Sequence, residues 1–427
     1  MTATPAPVPA SAPAPADGPE NAWDGNEETQ NDPEEKRVLY QALDSYYHYQ
    51  KVAHYNTTHL RRQSFYALPR AHWELLASPP FNYLDTLIAV DNAIDQNAEI
   101  SDAILASALR SFSLPNPSSL DSKVKHPDDF RDTATSSDLE KARSTLRQLY
   151  RDWSAEGAAE RESSYGPVIQ ALTNEQTYHP TRKLRVLVPG AGLGRLVFDL
   201  CMLGFDVEGN EISYHQLLAS AYILNFCPEK EYHTLFPWVH SFSNHKTRAD
   251  HLSSVKIPDI HPGDELQNNP DAGQMSMSAS DFLLLYGSRE RRETFDAVAA
   301  VFFLDTAPNI IRYLEVISSC LRPGGLLINM GPLLWHFENN PPGTPSSTSS
   351  PSPPSSTTYL PSQGIADPGS VELTNSEVLA LVQRFGFSIV THYTDVPAPY
   401  ILDRSSMLQN SYLASFWVAR KDAVGMV

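Results

Sequence analysis

Three glycines and one glutamate are the first residues in this sequence whose spacing suggests a bound ligand. Gly190, Gly192 and Gly194 follow an apolar run and precede an apolar helix. Because glycine has no Cβ, the backbone at this turn can bend sharply and approach a ligand at the N-terminus of the helix. Glu211 ends the next predicted strand, about 20 residues after the first glycine, where a carboxylate can accept hydrogen bonds from ribose hydroxyls. The segment predicts a nucleotide or nucleoside pocket.

The residues that follow the glycines narrow the choice of nucleotide. A dinucleotide fingerprint needs Gly or Ala at the sixth position of G-x-G-x-x-G, which is Arg195 here, so NAD is disfavoured. A phosphate-binding P-loop needs Lys and then Ser or Thr, whereas this chain has Arg195 and Leu196, so ATP is disfavoured too. The pattern favours S-adenosylmethionine. A glycine-rich turn in an unrelated α/β domain stays open while this stretch is considered alone.

Two apolar segments further along the chain agree with this interpretation. Residues 295–309, FDAVAAVFFLDTAPN, have the composition of a strand that is buried on both faces and ends at Asp305. Residues 321–331, LRPGGLLINMG, predict a Pro-Gly-Gly turn followed by another buried strand. This order of motifs resembles class I S-adenosylmethionine-dependent methyltransferases.

Composition and charge argue against several other classes. The chain has 427 residues, 41% of them hydrophobic, which is enough for a sizeable core. No run approaches the roughly 20 apolar residues of a membrane span, and no signal peptide is recognisable, so a soluble cytoplasmic or nuclear protein without a membrane partner is predicted. The formal charge of −18 argues against a nucleic-acid partner. Three scattered cysteines predict buried thiols, with neither disulfides nor a metal site.

The hydrophobic pattern divides the chain into three parts. Residues 1–34 are rich in Pro, Ala and acidic residues and predict a disordered tail. Residues 35–180 predict a helical region, and residues 181–421 predict the methyltransferase domain. A Pro/Ser/Thr tract at about 340–369 is expected to be a flexible insertion in that domain. The predicted core positions of the first helix are Leu39, Leu43, Tyr46 and Tyr47.

Several longer motifs carry a more specific resemblance. They include LRQLYRDWSAEGAAERESSYGPVI, FPWVHSFSN, FFLDTA and INMGPLLWHFEN. From about Asp138 to Lys421 the order of these motifs and the residues within them are similar to those of the carnosine N-methyltransferase family. The resemblance implies methyl transfer from S-adenosylmethionine to an imidazole nitrogen of carnosine, giving anserine. It also implies an α/β fold, with a Rossmann-like seven-stranded sheet and a helical N-terminal extension.

Two residues of the predicted helix at 138–154 are expected to bind the cofactor. Gln148 and Arg151 lie three positions apart and therefore share one helix face. By the resemblance, Arg151 would pair with the methionine carboxylate through two hydrogen bonds, and Gln148 would bond the same polar end. A solvated helix face is the alternative.

The resemblance places the other cofactor contacts along the predicted sheet. Gly190 would let the cofactor lie against the backbone, and Glu211 would hold the ribose. Asp281 and Phe282 look like the adenine site, one bonding the exocyclic amine and the other packing on the ring. Val301 is expected to contribute backbone contacts.

Three residues match positions that contact the substrate in the family. Asp305 would accept the imidazole N–H, which fixes the nitrogen that faces the methyl group and favours the positive charge that develops there. His336 would bond the polar groups of the dipeptide, and Tyr412 would bond and stack near the ring. Where the family pattern predicts an aromatic residue two positions before Tyr412, this chain has Asn410. The alternative for Asp305 is a cap of the helix that Thr306 would begin.

Two other functions stay open from the sequence. The acceptor could be a histidine within a protein or longer peptide in place of a small imidazole dipeptide. The chain could also be a regulatory protein that binds S-adenosylmethionine without turnover. A homodimer is possible in each case.

Overall fold

The computed structural model describes residues 32–119, 126–339 and 364–423. The predicted N-terminal tail and the predicted Pro/Ser/Thr insertion therefore lie almost entirely outside the described residues. The first helix begins at Pro33, slightly earlier than predicted, because the Asp32 side chain accepts the N–H of Glu34 and caps it.

The region before the sheet is helical, as the sequence pattern predicted. Its helices are α1 (Pro33–Tyr47), α2 (Tyr49–His54), α3 (Leu60–Tyr66), α4 (Arg70–Ala77), α5 (Tyr83–Ser111), α6 (Ser136–Trp153) and α7 (Ala158–Gln176), with a π-helical turn (Tyr55–His59) between α2 and α3. Helix α6 begins with a capping box in which Thr135 and Asp138 bond each other's backbone N–H groups. Within the described residues, no helix is long and apolar enough to cross a bilayer.

The first helix confirms three of its four predicted core positions. Leu39, Leu43 and Tyr46 are buried, whereas Tyr47 is 39% exposed, so its prediction as a core residue was wrong. Tyr47 lies at the C-terminal end of α1, where its ring contacts only the edges of His48 and Phe130 among the described aromatic rings.

The predicted seven-stranded sheet is confirmed. Its strands are β1 (Arg185–Pro189), β2 (Asp206–Glu211), β5 (Met275–Ala279), β6 (Phe295–Val301), β7 (Leu321–Gly331), β8 (Phe387–Pro399) and β9 (Ser411–Lys421), and a separate antiparallel pair is formed by β3 (His233–Leu235) and β4 (Val255–Ile257). The strand order is β5-β2-β1-β6-β7-β9-β8. Strand β9 runs antiparallel to both of its neighbours, and the other adjacent strands are parallel.

Helices connect these strands and cover the sheet. They are α8 (Arg195–Met202), α9 (Tyr214–Asn225), α10 (Arg248–His251), α11 (Pro262–Asn268), α12 (Phe282–Tyr286), α13 (Ile310–Cys320) and α14 (Asn375–Arg384). Helix α14 has the capping box predicted for Thr374 and Glu377. Because the strand order reverses between β1 and β6, a crevice is expected at the carboxyl ends of these two strands.

The strand predicted to end at Asp305 ends earlier, at Val301. Phe302 has a φ of +51°, so the chain leaves the extended conformation there while its N–H still donates to the carbonyl oxygen of Met330. Asp305 lies in a 3₁₀ turn, Leu304–Thr306. The carboxylate is therefore displaced beyond the sheet edge, on a short turn of its own.

The helical region and the sheet share a hydrophobic core. One continuous cluster contains Leu43 and Ile94 from the helices together with Phe198 and Leu218 from the helices that cover the sheet. The secondary structure changes near the predicted boundary at residue 180, but buried side chains from both sides of that boundary pack in the same core. The three cysteines are buried and free, as predicted.

We predict that Leu43→Ala lowers the free energy of unfolding by about 2–5 kcal/mol, since it leaves a cavity in this cluster. Leu203→Ala is the matched control, because Leu203 is 55% exposed and its loss should change stability by no more than about 0.5 kcal/mol. Urea unfolding followed by circular dichroism measures both. Equal effects of the two substitutions would contradict the shared core.

Candidate active site

The glycine turn after β1 forms the floor of the crevice. Gly190 and Gly194 have φ values of +65° and +77°, a region that residues with a Cβ rarely adopt. A Cβ on Gly190 would lie 2.9 Å from Cδ2 of Phe303, and one on Gly194 would lie 2.8 Å from Oγ of Ser220. The missing side chains thus let the turn pack closely against Phe303, which follows β6, and against Ser220 of α9.

Glu211 lies at the carboxyl end of β2, beside this turn. Its Oε2 accepts the N–H of Gly192 at 2.9 Å, and its Oε1 accepts the N–H groups of Ile212 and Ser213 at 2.9 and 2.8 Å. Burial raises the pKa of Glu211, and the three N–H groups act in the opposite direction. Oε2 accepts only one N–H group and keeps a second lone pair, so the carboxylate retains capacity for a hydroxyl donor such as one of a ribose.

Helix α6 brings Gln148 and Arg151 to the same crevice. Oε1 of Gln148 accepts a hydrogen bond of 3.1 Å from Nε2 of Gln216, a residue of α9 that also borders Gly192. The Arg151 guanidinium donates two hydrogen bonds to Asp152, at 2.7 and 2.9 Å, and lies 4.7 Å from the ring centre of Tyr400. Arg151 is therefore oriented by protein groups and does not lie on a solvated helix face.

A buried ion network attaches α6 and the segment after it to the glycine turn. The Asp259 carboxylate accepts hydrogen bonds from Arg195 at 2.7 Å and from Arg161 at 2.9 Å. The indole N–H of Trp153 donates to the carbonyl oxygen of Leu193, within the turn, at 3.0 Å. Arg195, which made an NAD site unlikely in the sequence, thus helps to position the residues that precede the sheet.

Asp281 and Phe282 lie beyond β5 in positions largely set by protein contacts. Oδ1 of Asp281 caps α12 by accepting the N–H of Leu283 at 2.8 Å, and its Oδ2 accepts the N–H of Ile365 at 2.8 Å. The Phe282 ring is buried against Phe303 and other aromatic rings of the core. Stacking of this ring on adenine would require its neighbours to move, because little of the ring faces open space.

An aromatic group follows Val301, which is half-buried at the end of β6. The Phe302 ring centre lies 5.2 Å from that of Tyr400 and 6.3 Å from that of Tyr412. Tyr400 therefore supplies an aromatic ring near Tyr412, whereas Asn410 is exposed. Sequence reasoning missed Tyr400, since it follows β8 in an irregular segment without a periodic pattern.

Asp305 and His336 are brought together beyond β6 and β7. Asp305 is 4% exposed, its Oδ2 accepts the N–H of Leu334 at 2.8 Å, and its carbonyl oxygen accepts the N–H of His336 at 3.1 Å. Asp305 does not cap the following helix, because Asn309 does so by accepting the N–H of Ile311. Burial raises the pKa of Asp305, while Leu334 and the charge of His336 oppose that effect.

The strand order and these residues define a class I S-adenosylmethionine-dependent methyltransferase. The glycine turn, the acid that ends β2 and the carboxylate beyond β6 all lie at the carboxyl edge of one parallel sheet with a single antiparallel strand. The chain belongs to the carnosine N-methyltransferase family, whose family model, described as carnosine N-methyltransferase, matches residues 128–423.

Two relatives illustrate the extent of the match. Carnosine N-methyltransferase of Schizosaccharomyces pombe is 37% identical over 91% of this chain and 97% of its own length. The protein of that name from Rattus norvegicus is 31% identical over 91% of this chain and 86% of its own length. The resemblance found in the sequence is thereby confirmed at the level of the family.

We predict that Gly190→Ala weakens S-adenosylmethionine binding by about tenfold or more, because the left-handed backbone and the contact with Phe303 together cost on the order of 1–3 kcal/mol. The matched control is Gly324→Ala, since Gly324 also has a positive φ but has no atom within 4 Å of an added Cβ. Isothermal titration calorimetry measures both affinities. An equal loss in the two variants would show that backbone strain alone is responsible.

Proposed function

We propose that this protein transfers the methyl group of S-adenosylmethionine to an imidazole nitrogen of carnosine, giving anserine. The observation that carries the proposal is the buried carboxylate of Asp305, which follows the residue that packs on the glycine turn. Phe303, two residues before Asp305, is the residue that packs against Gly190. An acceptor that bonds Asp305 is thereby brought near a donor lying on the glycine turn.

The cofactor site is assigned by the chemistry of its residues. S-Adenosylmethionine supplies an activated methyl group on a sulfonium. We assign its ribose to Glu211 and its methionine carboxylate to Arg151 and Gln148, with Gly190 allowing close approach. Asp281, Phe282 and Val301 complete the proposed site. For Phe282 we propose a contribution from the backbone, because its ring is already packed in the core.

The task left to the protein is to orient a neutral imidazole. One ring nitrogen carries a hydrogen and the other a lone pair, so a carboxylate that accepts the N–H aims the lone pair at the methyl carbon. Asp305 has this role in the proposal, and its negative charge favours the cation that forms as the bond is made. His336 and Tyr412 are assigned to the rest of the acceptor, since they lie beside Asp305 and Phe302.

Replacement of Asp305 tests this role. Asp305→Ala should lower kcat by about 100- to 1000-fold, as expected for the loss of one preorganised electrostatic group, while S-adenosylmethionine affinity stays within a few-fold. Asp305→Asn is the control, because it keeps the shape of the side chain and one oxygen that can accept an N–H group but carries no charge; its kcat should be intermediate. Steady-state kinetics with carnosine measures both variants. Unchanged turnover in Asp305→Ala would exclude the orientation mechanism.

The pH dependence of turnover provides a second test. Because the pKa of Asp305 is raised, the carboxylate takes up a proton at a higher pH than the ordinary value of about 3.9 and then loses the negative charge that favours the developing imidazole cation. Turnover should therefore fall as pH falls. Since Asn does not titrate, the ratio of wild-type to Asp305→Asn turnover should fall as well, which separates this effect from protonation of the substrate. A pH-independent ratio would contradict it.

The choice of acceptor separates the proposal from its alternatives. Carnosine, free histidine and a histidine-containing protein peptide can be incubated side by side with labelled cofactor. Methylation of carnosine above the others supports the proposal, whereas preference for the longer peptide favours a protein-histidine methyltransferase. Cofactor binding without any methylated product would indicate the non-catalytic alternative.

We also propose that the protein forms a homodimer through its helical region. Large apolar side chains are more than half exposed within one segment, residues 55–88. These are Tyr55, Tyr66, Leu75, Phe81 and Ile88. Since soluble proteins rarely leave many such residues open to water, this surface supports a contact with a second copy. Light scattering would contradict the proposal if it showed a monomer at micromolar concentration.

The absence of a nucleic-acid partner remains a prediction from the net charge of the protein.

A further inference from the structure

A cavity of about 690 Å³ lies beside the candidate active site. It is bounded by α6, by residues 237–245 and by the segment 400–410, which joins β8 to β9. Tyr400 lines this cavity and also contacts Arg151 and Phe302, so one aromatic ring is shared by the two sites. The volume is in the range of small-molecule pockets.

Three arginines on α6 form a row that leads from the cavity towards the cofactor residues. Arg143, Arg147 and Arg151 are spaced four residues apart and therefore lie on one helix face, about 6 Å apart along the axis. Arg143 pairs with Glu140, and Arg151 pairs with Asp152. Arg147, between them, forms no ion pair with a carboxylate among the described residues.

Arg147 is nevertheless held in place. Its Nη2 donates to the carbonyl oxygen of Ile401 at 3.0 Å, and its guanidinium carbon lies 5.3 Å from the ring centre of Trp238. These contacts orient the planar group and occupy few of its five N–H donors. A guanidinium fixed in this way at a cavity wall is suited to a planar anion such as a carboxylate.

Two acidic residues near Arg147, Glu160 and Asp403, form hydrogen bonds with other groups. Both carboxylate oxygens of Glu160 accept backbone N–H groups, from Ile401 at 2.7 Å and from Leu402 at 2.6 Å. Asp403 accepts the backbone N–H and the hydroxyl of Ser405, at 2.9 and 2.6 Å. Oδ2 of Asp403 is buried without a hydrogen-bond partner, but neither carboxylate bonds Arg147 among the described residues, so the remaining N–H donors of Arg147 are available to a ligand in the cavity.

We propose that Arg147 binds the free carboxylate of the histidine-containing acceptor and thereby selects acceptors that carry one. This inference rests on the proposed function. In that function Arg151 faces the methionine end of the cofactor, and one helical turn separates it from Arg147. A histidine residue carries its carboxylate within a few bonds of its imidazole ring. Tyr400 in the cavity wall contacts Phe302, three residues before Asp305, and the carboxylate is proposed to extend past this contact into the cavity.

The test compares carnosine with its C-terminal carboxamide, which keeps the imidazole and the amine but lacks the charge. In the wild-type protein, KM for carnosine should be lower than KM for the carboxamide. Arg147→Gln should raise KM for carnosine by about 10- to 100-fold, the loss expected for a charge-assisted hydrogen-bonded pair. KM for the carboxamide should change by less than about threefold, because the carboxamide has no carboxylate with which Arg147 could pair. Arg147→Lys should recover part of the preference.

Lys141→Gln is the matched control. Lys141 lines the same cavity and loses the same charge, but it lies 3.6 Å from Asp138 and is predominantly exposed. Its KM values should stay close to those of the wild-type protein. Thermal unfolding and cofactor titration of each variant verify that folding and the neighbouring site are intact.

The outcomes separate this inference from the proposed function. Suppose that the wild-type protein methylates carnosine and that Arg147→Gln raises KM equally for both acceptors, or raises neither KM. Arg147 then does not bind the carboxylate, and only the inference fails. If the wild-type protein methylates neither carnosine nor the carboxamide, the proposed function fails and the inference fails with it. An equal effect of Lys141→Gln on carnosine would assign the preference to the general charge of the cavity and would also overturn the role of Arg147.

Discussion

The paired charge of Asp259 is the interaction on which the candidate site depends. Its carboxylate lies between the guanidinium groups of Arg195 and Arg161, and all three side chains are almost fully buried. A buried carboxylate with one partner removed would be strongly unfavourable, so the three elements that contribute these residues are held together. Arg195 also donates to the carbonyl oxygen of Asp152 at 2.9 Å, which attaches the end of α6, with the proposed cofactor residues, to the same network. The helical region is in this sense part of the active site.

The topology of the sheet separates the two proposed ligand sites. The strand order reverses between β1 and β6. The glycine turn after β1 allows a ligand to approach the backbone closely, whereas the turn after β6 carries the carboxylate of Asp305. Phe303 connects the two, because its ring fills the space that a side chain on Gly190 would need. Phe302 leaves the extended conformation at a positive φ, and such backbone persists only where surrounding contacts impose it. This bend carries Asp305 beyond the sheet edge, towards the segment that contains His336.

The predictions made from the sequence agree with the structure for some kinds of feature and not for others. Elements with a strong local signal were predicted well, including β1, β2 and the helix that begins at Arg195. Features decided by neighbouring elements were predicted less well. Tyr47 fits the helical pattern but lies at a helix end, where the core no longer covers it. The ring of Phe282, assigned to a ligand, packs instead against Phe303.

The sequence by itself determined several of the strands and helices, the glycine turn, the acid that follows it and the family, because these follow from local periodicity, backbone freedom and motif spacing. Only the tertiary structure decided which distant residues meet. The pairing of Arg195 with Asp259, the contact of Tyr400 with Arg151 and the absence of a carboxylate partner for Arg147 among the described residues depend on segments that are far apart in the chain. No local pattern records such contacts, since they arise from the packing of whole elements against one another.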